Sequence, residues 1–152
     1  MSDSDIERRI VAGLIVSDEF AGRVRPLWRD DLVESPEVVR IARWCTDYFD
    51  RYGRAPGRHV EDIYMRELRA DRVPKAEAEI IERILARISD DYERGEQFNA
   101  AYLFDRAAEY FRSREITRHN ERVQDLVDVG DVAAADEAVR AFRPTSWATS
   151  RG

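Results

Sequence analysis

Four arginines in the last third of the sequence have the charge and spacing needed to contact phosphate groups. Arg114, Arg118 and Arg122 recur at four-residue intervals, which places them on one face of a helix, and Arg112 lies close by. Such a row can bind a nucleic-acid backbone in a salt-dependent manner. However, Glu115 and nearby acids interrupt the row, and helical arginines commonly pair with acids or stay solvated. These arginines could therefore either contact DNA directly or have a structural role.

No pattern in the sequence predicts catalysis, a metal site or a cofactor. His59 and His119 lie far apart without a Glu-x-x-His arrangement, so we expect surface or capping residues rather than metal ligands. Lys75 stands in Val-Pro-Lys-Ala-Glu without the neighbouring glycines of a P-loop, so ATP hydrolysis by that route is excluded. The acidic residues between Glu77 and Glu93 are typical of a solvated helix face. We predict that this chain is not an enzyme.

Composition limits the architecture and the compartment. The 152 residues, 43% of them hydrophobic, suffice for one compact domain or a small domain with a projection. A net charge of -6 argues against a surface built mainly to coat phosphates. No stretch approaches the roughly 20 apolar residues of a membrane helix, and the first residues lack a signal peptide's apolar core. We therefore expect a cytoplasmic protein that does not enter a membrane. Cys45, the single cysteine, excludes an intrachain disulfide.

Apolar residues recur at three- and four-residue steps along most of the chain, and no segment shows the period of two that marks strands. The sequence therefore predicts an all-α fold. A globular head over residues 1–98 contains about five short to medium helices. They comprise a first helix that Asp5 could cap, a short helix from Asp18 to Val24, a third from Ser35-Pro36 to about Tyr52, a fourth from His59, and a fifth from Pro74 to Gly95.

The sixth helix is predicted to leave the head. Nothing breaks it between Asn99 and Val129, a span well beyond the usual helix of roughly 11 to 12 residues. Its beginning is apolar as far as Phe111, its middle is polar around Ile116, and its end regains a narrow apolar stripe. Such a helix is expected to be buried first and then to meet another element further out.

That element is predicted to be a closing helix that forms an antiparallel hairpin with the sixth. Gly130 suits the left-handed turn and Asp131 suits the cap. The long helix and the hairpin would occupy residues 99–144, followed by a linker or tail over residues 145–152. One seam between two helices is marginally stable alone. We therefore predict a self-association surface on the hairpin, although the last helix could instead fold back onto its own domain. The predicted surface consists of Ile116, Val123, Leu126, Val127, Val132, Ala135, Val139 and Phe142.

From residue 6 to residue 144 the sequence resembles the N-terminal collar domain of DnaB-type replicative helicases, including phage proteins in which this region precedes a RecA-like motor. Residues 6–24 are similar to the family's opening helix and its short aromatic-bearing element. Residues 42–64 resemble its helix, loop and helix, with Phe49 in the tyrosine place of a Tyr-x-x-x-Gly-x-x-Pro motif that ends at Pro56. Residues 102–116 and the closing hairpin resemble the region leading to the motor.

The resemblance implies an organising role in DNA replication rather than a catalytic one. In that family the hairpins pair between protomers, six copies form a ring, and the outer surface binds primase or a helicase loader. Two alternatives remain open. The Gly-Asp turn and small-residue helix of residues 129–142 are similar to a tetratricopeptide unit and would suit a monomeric adaptor, but no repeat of about 34 residues is present. A nucleic-acid-binding accessory protein would instead show salt-sensitive affinity.

Overall fold

The computed structural model describes residues 3–93 and 98–147. Within these residues the chain forms α-helices and two short 3₁₀-helices and has no strand, which confirms the predicted all-α fold. The α-helices are α1 (Asp3–Val16), α2 (Asp18–Val24), α3 (Pro36–Tyr52), α4 (His59–Arg69), α5 (Lys75–Glu93), α6 (Ala100–Asp128) and α7 (Val132–Ala141). The 3₁₀-helices are Arg25–Leu27 and Asp30–Leu32, between α2 and α3.

Side-chain caps fix the start of several helices at residues that the sequence indicated. The Ser35 hydroxyl accepts a hydrogen bond from the Val38 amide (3.3 Å) and Pro36 begins α3, as is typical of a helix N-terminus. Asn99 caps α6 in the same way. The prediction that Asp5 caps the first helix was inexact. The helix begins at Asp3, so Asp5 lies in its first turn. The predicted end of the fifth helix at Gly95 lies outside the described residues.

The core of the head is built around α1. This helix packs against α2, α3 and α6, and α3 packs against α5. Gly13 of α1 allows the closest approach, because a Cβ atom there would lie within 2.6–2.9 Å of Phe20 and Leu103. The largest fully buried side chains include Ile10, Leu14, Phe20, Leu32, Ile41, Ile81, Phe104 and Phe111.

A buried carboxylate joins α1 to two other parts of the head. Glu7 is 2% exposed and accepts hydrogen bonds from the Glu34 amide (2.8 Å), the Ser35 amide (3.0 Å) and the Tyr110 hydroxyl. Burial raises the pKa of Tyr110, and its hydrogen bond to Glu7 raises it further. The hydroxyl therefore stays protonated and keeps donating. Glu7 thus holds α1 against the start of α3 and the buried half of α6.

The 29-residue helix α6 extends beyond the head, since it is about 43 Å long at 1.5 Å per residue. Its residues from Ala100 to Phe111 carry most of its buried side chains. Beyond them α7 returns antiparallel to α6 and packs along it. The turn between them has Gly130 at a positive φ of 82° and a bond from the Asp131 amide to the Leu126 carbonyl (2.9 Å). These features form the predicted hairpin.

The chain after α7 runs back along α6 to the head. The Thr145 amide donates to Glu115 Oε2 (2.9 Å), and the Trp147 ring stacks on Phe111 with 5.3 Å between ring centroids. Trp147 also contacts Phe104. Residues that the sequence suggested as the start of a linker are therefore packed against the head as far as Trp147.

Candidate functional site

The two helices of the hairpin meet along a seam of small and apolar side chains. Ala135 is buried there, and Leu126 is half-buried. At the end of the seam nearest the head, the His119 ring stacks on Phe142 with 4.1 Å between centroids. Three members of the predicted self-association set, Leu126, Ala135 and Phe142, thus have contacts inside the hairpin. Val123, also half-buried, lies at the edge of the seam.

Four other members of that set remain exposed and form what we call the outer face: Ile116, Val127, Val132 and Val139. Their exposed fractions are 41%, 46%, 65% and 56%. Residues 116, 123 and 127 share one face of α6, and residues 132 and 139 share one face of α7. Residues 118 and 122 of α6 and residues 138 and 141 of α7 line one crevice on the opposite side of the seam, so the two apolar stripes lie together on this side. The outer face is therefore a strip along the hairpin, with Asn120 between Ile116 and Val123 on α6 and Asp136 between Val132 and Val139 on α7.

The outer face is also distinguished by the absence of charge on its α6 side. The residues that follow one another along this side are Ser113, Ile116, Asn120, Val123 and Val127. None is charged, although 37% of the chain is. On α7 the nearest charges, Asp136 and Arg140, neutralise each other in an ion pair of 3.2 Å. The strip thus resembles the core of a protein interface, which is depleted in charged residues.

The opposite side of the hairpin carries arginines and faces the head across an open crevice of about 510 Å³. Arg118 and Arg122 line it from α6, Arg143 lines it from the segment after α7, and Arg29 lines it from the head. Leu32, Ala138 and Ala141 contribute apolar wall. We call this feature the arginine crevice.

The four arginines suggested by the sequence as nucleic-acid contacts have different surroundings. Arg118 and Arg122 line the arginine crevice. Arg114 is engaged with the head, because its guanidinium donates to the Leu32 carbonyl (3.0 Å) and to Glu34 Oε1 (2.8 Å). Arg112 is exposed and is not among the residues that line the crevice. The structure therefore brings together two of the four.

The crevice contains one carboxylate at its base. Glu115 is 5% exposed; its Oε2 accepts from Thr145, whereas its Oε1 has no hydrogen bond and lies 3.9 Å from Arg29 Nη1. Arg29 also donates two hydrogen bonds to Asp31, at 3.2 and 2.7 Å. These bonds hold the pKa of Asp31 below its usual range, and the charge of Arg118 lowers it further. Asp31 is therefore charged at neutral pH.

Arg29 and Arg143 were absent from the sequence-based selection of site residues. Arg29 belongs to the irregular segment between α2 and α3, and only the tertiary fold brings it opposite α6. Arg143 follows α7, and its guanidinium donates to the Arg140 and Phe142 carbonyls at 3.0 and 2.8 Å. Neither position shares a periodic pattern with Arg118, so no local signal could have identified them.

The remaining candidates contribute little chemistry. His59 is exposed, 3.8 Å from Asp62, and His119 is half-buried where the hairpin seam meets the arginine crevice. Across residues 3–93 and 98–147, no group of three or more histidine, cysteine or acidic side chains could hold a metal ion. No helix in those ranges is both long and apolar enough to span a bilayer.

Comparison of the chain with protein-family models, curated proteins and solved structures found no match.

Proposed function

We propose that this chain is a non-catalytic oligomerisation and partner-docking domain of a replicative DNA helicase, of the collar type, and that its hairpin pairs with the hairpin of a second copy. The exposed outer face is the observation that carries the proposal. The likeness of residues 6–144 to DnaB-type collars supports the wider assignment to replication, in phage or bacterial cytoplasm. In this assignment the paired copies build a ring, and the head binds primase or a helicase loader.

Burial of the outer face supplies the driving force for pairing. Complete removal of a large apolar side chain from water is worth about 1.5–3 kcal/mol. Each copy contributes the four exposed side chains of the outer face, so a symmetric pair buries two such sets. The same strip serves on both copies, as a two-fold interface requires. The uncharged α6 side of the strip avoids the cost of burying unpaired charges.

Aspartate substitutions in the outer face test the pairing. We expect Val132→Asp/Val139→Asp to weaken self-association at least 100-fold, because pairing would bury carboxylates without partners. Sedimentation velocity over a range of concentrations measures the association, and far-ultraviolet circular dichroism checks that the helices remain. Both side chains are exposed in the monomer, so the fold should tolerate the change.

A control pair separates a surface-specific effect from a general effect of added charge. Met65 in α4 and Tyr102 near the start of α6 are exposed hydrophobic residues (41% and 59%), outside the hairpin seam and outer face. Met65→Asp/Tyr102→Asp should therefore associate like the unmodified chain. Equal association of the Val132→Asp/Val139→Asp variant and the unmodified chain would contradict the proposal. A monomeric helical adaptor would instead show no association in any of the three proteins.

A further inference from the structure

Charge is divided between the two sides of the hairpin. The outer face has no charged residue along α6, whereas Arg118 and Arg122 project from the other side of the same helix into the arginine crevice. The crevice is lined by four arginines and one glutamate, in a chain whose net charge is -6. A positive cleft on an acidic protein attracts anions locally even though the protein as a whole repels them.

Two of these arginines are not neutralised by direct contacts. Within the part of the chain that the structure describes, Arg118 and Arg122 form no hydrogen bond and no ion pair, whereas many other arginines are paired. They stand four residues apart on α6, where like charges repel each other. Their donors are exposed at the crevice wall. An anion bridging them would supply the missing acceptors and relieve the repulsion.

The other two arginines are held in place by the fold. Arg29 is fixed by its two hydrogen bonds to Asp31 and by the charge of Glu115. Arg143 is fixed by the two carbonyls at the end of α7. Glu115 also fastens the returning segment through Thr145 and so holds the crevice in shape. A bound anion would thus meet two guanidinium groups without hydrogen-bond partners and two that are already positioned.

We propose that the arginine crevice binds phosphate groups, without recognising the base attached to them. Planar guanidinium groups suit bidentate contacts with phosphate oxygens. The His119 and Phe142 rings also line the crevice, but each covers one face of the other, and the rest of the wall, Leu32, Ala138 and Ala141, has no side-chain donor or acceptor to read a base edge. The phosphate can belong to a nucleic-acid backbone or to a free nucleotide.

Binding to single-stranded DNA measures the activity of the crevice. The probe is a fluorescein-labelled oligothymidylate titrated with the full chain at several salt concentrations, with anisotropy as the signal. We expect affinity to fall with salt and Arg118→Gln/Arg122→Gln to bind at least 10-fold more weakly at low salt. The loss of two phosphate contacts should also make the slope of log affinity against log salt shallower by about 1.4, since each contact on a single strand contributes about 0.7.

A matched control removes the same charge elsewhere. Arg83 and Arg87 are also four residues apart and exposed, on α5, and pair with Glu79 and Asp91. Arg83→Gln/Arg87→Gln should bind the probe within about twofold of the unmodified chain. Arg118→Lys/Arg122→Lys, which keeps the charge, should retain most of the salt slope. Equal losses in the crevice and control variants, or no binding by the unmodified chain at low salt, would overturn the proposal.

Competition identifies the source of the phosphate. If ATP and inorganic pyrophosphate displace the oligonucleotide, and the displacement is lost with Arg118→Gln/Arg122→Gln, then the crevice accepts free phosphates. If only unlabelled oligonucleotides compete, it is specific for the backbone; either result supports phosphate binding. The proposal does not depend on pairing through the outer face, so Val132→Asp/Val139→Asp should retain the crevice contacts. Sedimentation and anisotropy thus test the two proposals separately.

Discussion

Glu7 shows how one buried polar residue can organise the head. Its carboxylate accepts two backbone amides before α3 and the Tyr110 hydroxyl of α6, so three elements meet at one side chain. The sequence did not indicate this role, because Glu7 stands in Ile-Glu-Arg-Arg and resembles any solvated helical glutamate. Its partners lie 27, 28 and 103 residues away and become neighbours only in the folded chain.

Replacement of Glu7 with alanine is expected to destabilise the head by about 2–4 kcal/mol, because the buried Tyr110 hydroxyl and two partly buried backbone amides lose their acceptor. Urea unfolding at one fixed protein concentration measures the change. Glu121 provides the control, since it is exposed on the polar part of α6. Glu121→Ala should change the free energy of unfolding by no more than about 0.5 kcal/mol. A similar small effect from Glu7→Ala would show that water replaces the carboxylate without penalty.

Cys45 lies in the core, where the apolar periodicity of α3 had placed it. The residue is 1% exposed, and burial raises the pKa of its thiol. The thiolate is the reactive form of cysteine. In the native protein, Cys45 should therefore react with Ellman's reagent only as fast as unfolding of the core exposes its thiol. Ser4→Cys, at an exposed position of α1 outside the hairpin, should add one rapidly reacting thiol. Rapid reaction of the unmodified native chain would contradict the packing described for α3.

At the scale of elements, helix boundaries were the most predictable feature. Capping residues such as Ser35, Asn99 and Asp131 act on amides three residues away, so their signal is local and visible in the sequence. The packing of helices was less predictable. Trp147 illustrates the limit: it follows a proline and polar residues, yet its ring stacks on Phe111 because the chain returns along α6.

Two glycines provide a matched test of the packing between α1 and its neighbours. A Cβ atom at Gly13 would overlap the rigid, buried ring of Phe20, whereas one at Gly22 would find its nearest neighbour, Phe49, at an ordinary 3.6 Å. Gly13→Ala should therefore lower the free energy of unfolding by about 1–2 kcal/mol, since overpacking outweighs the gain in helix propensity. Gly22→Ala should raise it by about 0.5–1 kcal/mol.

Urea unfolding of both glycine variants, again at one protein concentration, distinguishes close packing from propensity. Both positions lie inside helices, so propensity alone would stabilise both variants equally. Opposite signs are expected from the contacts. Stabilisation by Gly13→Ala would mean that α1 and α2 are packed more loosely than described.

At the scale of the whole molecule, the hairpin separates two surfaces with different chemistry. One side presents Ile116, Val127, Val132 and Val139 and suits a second copy of the chain; the other presents Arg118 and Arg122 and suits phosphate. The periodicity of α6 and α7 predicted that a hairpin would form. It did not divide the apolar residues between the seam and the outer face, because that division depends on how the two helices rotate against each other.

The crevice depends still more strongly on the tertiary fold. Arg118 and Arg122 were recognisable from their four-residue spacing, but the acids around them suggested local pairing. In the structure Glu115 turns inward to Thr145 instead, and Arg114 reaches Glu34 in the head. Contacts between distant segments thus decide which charged side chains form pairs. No pattern along the sequence predicts these pairs.

The molar mass of the unmodified chain in solution tests the central claim most directly. Multi-angle light scattering at increasing concentrations should give a mass that rises from the 17.7 kDa of one copy to at least twice that value, as the outer faces pair. A mass that stays at 17.7 kDa up to the highest attainable concentration would contradict self-association through the hairpin.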